Sequence, residues 1–365
     1  MRLSLNLGHL VGAGDAAGRV RLAVEAERLG FHTVWAAEVY GSDAATMLTW
    51  IAAHTRSVNI GSAVMQMPGR SPALTAMTAA TLDRLSGGRF RLGLGVSGPQ
   101  VSEGWHGVPF ADPLGRTREY VDVLRLALSR RPLAHPGRHY PLPLAGGAGR
   151  ALRLTVRPPR PDLPIYLAAV GPRNLELAGE IGDGWLAAFL SPEFAAEQLR
   201  HVRAGRDRAG RTMDGFEVIA SAPLAIGDDV GRCVDRVRAH VALYLGGMGS
   251  RSRNFYNLLA ARMGYADAAR DVQELYLAKR YAEAAAAVPA DFVDRTSLLG
   301  PVDRIAGRLR EFAEAGVTEL AVTVFGGGTG ALREVYEAYT ADRTTPPVYP
   351  LALGRRGAGG SDARP

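Results

Sequence analysis

A chain of 365 residues that is 47% hydrophobic and 22% charged carries enough apolar material for a large buried core. A formal charge of +7, from 43 Lys and Arg against 36 Asp and Glu, tolerates an anionic ligand without naming one, and the isolated pairs Arg251/Arg253 and Arg355/Arg356 are not the dense basic stripe of a nucleic-acid binder. The single Cys233 excludes a disulfide framework or a cysteine-built metal cluster, no apolar run reaches the ~20 residues of a membrane span, and the alternating start MRLSLNLGHL does not read as a signal peptide, so a soluble cytoplasmic protein is expected.

In chain order, β-like runs fall at residues 3–7, 33–36, 59–65, 90–96, 165–170, 185–189, 217–225 and 320–325. Amphipathic stretches of helical length lie between most of them. Val20, Ala23, Val24, Ala26 and Leu29 share one face ahead of a Gly30 stop, residues 120–128 show the same habit, and residues 305–316 are entered through Gly300-Pro301 with proline at the expected first helical position. Eight strand–helix units in this length favour a (β/α)8 barrel over a doubly wound sheet. Ligands of such a barrel sit at the carboxyl ends of the strands, so the residues just after each run are the first candidates.

Residues 1–343 read as one barrel domain with excursions. Residues 97–115 and 132–163 are Gly- and Pro-rich loops, residues 246–297 form a helical insertion between the seventh and eighth strands, and residues 344–365 read as a mobile tail. Gly93-Leu94-Gly95-Val96-Ser97-Gly98 matches G-x-G-x-x-G. The match falls within the fourth strand, and Pro99, Gly104 and Pro109 follow where a dinucleotide fingerprint would open a helix. Small residues that let a barrel strand lie close to a ligand are the better account.

Three segments carry a family resemblance: Ser86-Gly87-Gly88-Arg89-Phe90-Arg91-Leu92-Gly93-Leu94-Gly95 continuing to Gly107; Ile165-Tyr166-Leu167-Ala168-Ala169-Val170-Gly171-Pro172-Arg173-Asn174 continuing to Gly182-Asp183-Gly184-Trp185; and Leu298-Leu299-Gly300-Pro301 with Ala315-Gly316-Val317-Thr318. Together they resemble the bacterial luciferase-like superfamily, specifically its coenzyme F420-dependent oxidoreductases, over about residues 1–340. The resemblance implies a TIM barrel, a homodimer or larger homo-oligomer, and a deazaflavin or flavin in the carboxyl-end mouth. It implies hydride transfer between F420 and a small organic substrate with a C=O, C=N or activated C=C group. The alternatives are an FMN-dependent monooxygenase and a non-catalytic ligand-binding barrel on the same scaffold.

Site residues follow from the same resemblance. Glu103, after the fourth strand, stands where related F420 enzymes place a glutamate proposed as proton donor; a partly dry carboxyl raised in pKa suits that task, and a solvated or capping glutamate is the alternative. His106 would donate to substrate or orient Glu103, and Trp105 would wall the pocket. At the second-strand end Glu38 would hydrogen-bond the deazaflavin or pair with an arginine. The histidine common in relatives at the next position is replaced here by Val39, with Tyr40 beyond it as another hydroxyl. The resemblance places a non-prolyl cis peptide at Ser62-Ala63, in a Ser62-Ala63-Val64 bulge that braces the deazaflavin. Residues Ala169, Val170, Gly171, Pro172, Arg173 and Asn174 would form the phosphate site, through free N–H groups at a helix start and the Arg173 charge, with Arg251 and Arg253 as further cations for an acidic cofactor tail. No metal site is expected.

Overall fold

The short β-branched and aromatic runs do form strands, and in the computed structural model, which describes residues 1–10, 14–160 and 162–341, eight of them close into one parallel barrel. These are β1 (Arg2–Asn6), β2 (Thr33–Ala36), β3 (Asn59–Ser62), β4 (Phe90–Gly95), β5 (Ile165–Ala168), β6 (Gly184–Ala188), β7 (Glu217–Ile226) and β8 (Glu319–Val324). Each pairs in parallel with the next, and β8 closes onto β1 through Arg2↔Glu319 and Leu3↔Leu320. A further short strand, Leu298–Gly300, pairs with the carboxyl end of β7 beyond the stretch that β6 covers. The (β/α)8 expectation therefore holds.

Helices α1 (Ala16–Leu29), α2 (Ala44–His54), α3 (Pro72–Leu85), α4 (Pro113–Leu128), α5 (Pro172–Ile181), α6 (Pro192–Arg208), α7 (Val230–Ala242), α8 (Val302–Glu314) and α9 (Gly328–Thr340) follow the strands. Several start where a side chain accepts an orphan N–H: Asp15 caps α1, Asp43 caps α2, Ser71 caps α3 and Asp112 caps α4. Leu3, Leu5, Val34, Ile60 and Leu92 turn outward into one continuous core beneath the helices. None of the described helices is long and apolar enough to cross a membrane.

Three expectations are corrected. The run 59–65 is not one strand: β3 ends at Ser62 and the short strand Met65–Gln66 resumes against β4, with a bulge between. A six-residue helix, Pro99–Gly104, does follow β4, which ends at Gly95; Gly98 is its extended N-cap and Pro99 fits a first helical position. Pro301 is the N-cap of α8 rather than its first residue; its extended backbone puts its carbonyl in place to accept the Ile305 N–H at 3.1 Å. The insertion folds as Phe255–Ala260, Ala266–Leu277, Tyr281–Ala286 and Ala290–Arg295, packing with α7 on a second apolar cluster that includes Phe189, Leu259, Val272 and Phe292. The expected tail, residues 344–365, lies outside the described residues.

Inside the barrel the inward positions build a charged floor. The fully buried Glu319 carboxylate accepts from Ser4 Oγ at 2.8 Å, Trp35 Nε1 at 2.8 Å and Arg91 Nη1 at 2.6 Å, with His32 Nδ1 at 3.1 Å. Arg91 also pairs with Glu217 and donates to the Tyr166 hydroxyl, and its guanidinium lies 5.0 Å from the Trp35 ring and 4.7 Å from the Tyr166 ring. Burial pushes the Glu319 carboxyl up, but Arg91 and His32 outweigh it and hold it well below the usual carboxylate range. Trp35, Tyr166, Ile219 and Ala321 form an apolar layer in the barrel interior, with Ala63 and Leu186 against it.

Removing one partner of a buried ion pair leaves an uncompensated charge, so Glu319→Ala is expected to lose about 3–5 kcal/mol of stability, read from urea unfolding at neutral pH. A loss below about 1 kcal/mol would mean that the floor relaxes without it.

Candidate active site

At the carboxyl ends of β2, β3 and β4 the chain departs from regular pairing. The Ala63 N–H still donates to the Ala36 carbonyl at 2.8 Å, so the ladder with β2 runs one residue past β3, and the non-prolyl cis peptide falls at Ala63-Val64 rather than at Ser62-Ala63. Glu38 clasps this bulge twice. Its backbone N–H donates to the Val64 carbonyl at 3.3 Å, and its Oε1 accepts from the Gln66 N–H at 2.9 Å. Its Oε2 accepts from the Ala44 N–H at 3.0 Å and faces Arg70 at 3.5 Å. The arginine-paired alternative for Glu38 is thus present, on a residue that also lines a cavity.

The glycines of β4 make room for the bulge. A Cβ at Gly93 would overlap the Ser62 carbonyl oxygen, and one at Gly95 would press on Val64 Cγ2. The Ser62 hydroxyl is buried and committed, donating to the Gly93 carbonyl at 2.8 Å and accepting from the Gly93 N–H at 2.9 Å. In front of the bulge is a cavity of about 360 Å3 lined by Glu38, Val39, Val64, Gln66, Ser97 and Tyr256, among others.

Glu103 does not take the expected position. It is exposed on Pro99–Gly104, its Oε1 accepts from the Phe110 N–H at 2.9 Å, and it is not among the residues lining this cavity. The turn of that short helix points the side chain back along its own loop, which residue spacing alone could not reveal. His106 meets Gln66 rather than Glu103: its Nε2 lies 3.0 Å from Gln66 Oε1, while Gln66 Nε2 donates to Ser97 Oγ at 3.2 Å. Tyr40 and Trp105 form an exposed aromatic pair with ring centroids 6.5 Å apart.

After β5, Gly171 is the N-cap and Pro172 the first residue of α5, and no side chain caps that turn. Space around Gly171 is open where a Cβ would stand. Ala169 is buried, its carbonyl accepting from Trp185 Nε1 at 2.9 Å; Asn174 reaches back to the Ala168 carbonyl at 3.4 Å, and Arg173 is exposed. Arg262, from the insertion, donates to the Val170 carbonyl at 2.8 Å. Nothing in the local sequence linked Arg262 to this loop, because 92 residues separate it from Val170. Arg251 and Arg253 are exposed in the insertion.

A second cavity, about 740 Å3, opens at the ends of β1 and β8 beneath α7. Tyr244 lines it, Tyr256 lines the first cavity, and their rings meet at 4.9 Å, so this pair forms a common wall. Phe189 packs against both tyrosines, and His240 lies 4.8 Å from the Tyr244 ring and 5.2 Å from Phe325. Burial first, and His9 nearby, push the His240 imidazole down to about 4, while burial pushes the Tyr244 phenol up. Both side chains are uncharged at neutral pH. Sequence reasoning passed over His240 because it sits within an ordinary amphipathic helix.

A closed parallel barrel with two cavities at its carboxyl-end mouth, one against a backbone bulge, defines a ligand-binding barrel of the enzyme type. The chain belongs to the luciferase-like monooxygenase family, whose model matches residues 3–319. A Mycobacterium tuberculosis protein provisionally named a coenzyme F420-dependent oxidoreductase is 43% identical over 330 residues, covering 88% of this chain and 95% of that one. The 5,10-methylenetetrahydromethanopterin reductase of Archaeoglobus fulgidus is 29% identical over 81% of this chain and 86% of its own length. Among solved structures, the coenzyme F420-dependent tetrahydromethanopterin reductase from Methanopyrus kandleri superposes with a TM-score of 0.78 at 23% identity, covering 93% of this chain and 98% of that one. The chain is an oxidoreductase.

The His240 ring is expected to stay neutral from pH 8 to about 6 in nitrogen-15 histidine spectra, because its folded pKa lies below the unfolded value of about 6.5. A folded pKa below the unfolded one stabilises the protein above pH ~6.5, and that stability is lost as pH falls toward about 4. His240→Phe should flatten this acid-side loss; an imidazole titrating near pH ~6.5 would contradict the assignment.

Proposed function

We propose that this barrel transfers hydride between coenzyme F420 and a small organic substrate with a C=O, C=N or activated C=C group. The observation that carries the reading is a cavity backed by the Val64 bulge, two strands away from an uncapped, cation-flanked helix start. These residues fit the group. Val64 offers an apolar face to a planar ring system, and the open α5 start with Arg173 and Arg262 suits a phosphate. Reduced F420, when bound, supplies the hydride.

Each residue then has a task. Ser62 and Glu38 fix the bulge from two sides, so that Ala63 and Val64 present one shape to the ring. His106 is a positioning residue: with Ser97 it orients the Gln66 amide at the cavity wall. Ala169, Val170, Gly171, Pro172 and Asn174 shape the anion loop, and Arg173 and Arg262 add charge-assisted contacts. Support for F420 over FMN comes from the named relatives. The exposed Trp50, Leu74, Met77 and Leu85 on α2 and α3 offer a face for the homodimer, and the cytoplasm remains the proposed compartment.

Separate titrations of the purified protein with F420 and FMN, followed by fluorescence, test the cofactor. F420 is expected to bind far more tightly, and Arg173→Ala with Arg262→Ala to weaken it by about tenfold. Tight FMN binding alone would move the protein to monooxygenase chemistry, and binding of neither would remove the reading. Because Glu103 is committed to Phe110 on an exposed helix, Glu103→Gln should leave F420-dependent turnover within about twofold; a loss of about a hundredfold would return it to the role of proton donor.

A further inference from the structure

The larger cavity has the features of a ligand site that the cofactor assignment does not use. Its volume of about 740 Å3 suits a small organic molecule, and Leu7, Leu22, Leu243 and Phe325 give it apolar walls. Polar side chains that line it include the His240 imidazole and the hydroxyls of Tyr244 and Thr323, none with a hydrogen-bond partner among the described residues. These groups are open to the cavity, so a ligand seated there can take up their hydrogen bonds. Tyr244 stands on a π-helical turn, Leu243–Gly247, a geometry that recurs at functional sites because it re-aims side chains.

The cavity also holds one uncompensated charge. Arg21 at its edge is paired with Asp15 at 2.8 Å. Arg19, one helical position pair away and half-buried, donates only to the His9 carbonyl at 3.0 Å and has no carboxylate partner among the described residues. A cation drawn partly out of water without a counter-ion favours an anionic ligand.

We propose that this cavity binds the organic substrate, and that the substrate is a carbonyl compound with an aliphatic body and a carboxylate. The carboxylate meets Arg19; His240, Tyr244 and Thr323 hydrogen-bond the ketone adjacent to it, and the aliphatic body lies on the leucine walls. The Tyr244–Tyr256 wall sets that ligand beside the first cavity, so the proposal rests on the hydride-transfer reading for why a carbonyl is wanted, though not for the binding itself.

Three matched probes separate the parts: α-ketoisocaproate carries both groups, isocaproate lacks the ketone, and methyl isobutyl ketone lacks the carboxylate. Calorimetric titration of the full chain should give α-ketoisocaproate an affinity about tenfold above either partial probe. Tyr244→Phe, which keeps the ring and removes only the hydroxyl, should cost about tenfold, and Arg19→Met should reduce α-ketoisocaproate to the level of the ketone. The His240 ring-nitrogen shift should move on addition of the keto acid. Equal binding of all three probes, no binding at millimolar concentration, or unchanged affinity in both variants overturns the proposal. F420 titration of the same preparations keeps the two readings apart: failure to bind F420 with the keto acid still selected sinks the cofactor and leaves this cavity standing, whereas F420 binding with no probe selected does the reverse.

Discussion

A buried carboxylate in the barrel floor is the constraint on which the rest depends. Glu319 is fully enclosed and gathers donors from β1, β2 and β4, while Glu217 of β7 completes the shell around Arg91. Such a group tolerates no slip in register, because moving one strand by a residue would turn its polar partner out of the barrel and leave a bare charge inside. Five strands, β1, β2, β4, β7 and β8, are thereby pinned toward their amino ends. The aromatic layer of Trp35 and Tyr166 settles around Arg91, and the opposite ends of the strands are delivered to the mouth in fixed relation.

The mouth spends that rigidity on one irregularity. β3 breaks after Ser62, and the gap is held by hydrogen bonds from neighbouring strands: Glu38 on one side, Gly93 on the other. The β4 glycines matter through what they exclude. Their missing side chains let the Ser62 carbonyl and Val64 occupy space that alanine would fill. A motif that looks like a phosphate loop in one dimension is a packing device in three.

A different part of the chain covers the mouth. The insertion and α7 form their own apolar cluster over β6 and β7, and this cluster leaves two cavities divided by Tyr244 and Tyr256. The same insertion carries Arg262 to the start of α5. The insertion therefore lines the smaller cavity, through Met248, Phe255 and Tyr256, and brings an arginine to the start of α5.

The sequence by itself determined the barrel and its order of elements, because alternation of apolar residues is a local property and eight repeats of strand and helix admit few arrangements. The family resemblance located the bulge to within one peptide bond, and the adjacent Gly171-Pro172 pair marked the α5 start. The sequence could not determine which side chains meet across elements. Whether Glu103 turns into the mouth or to Phe110 seven residues on, and whether His106 finds Glu103 or Gln66 forty residues back, are settled only by the folded chain. The floor around Glu319 spans residues from Ser4 to Glu319 and left no local pattern at all. His240 became a candidate only when the fold buried it beside a cavity without a partner, for burial and distance are properties of the tertiary structure alone.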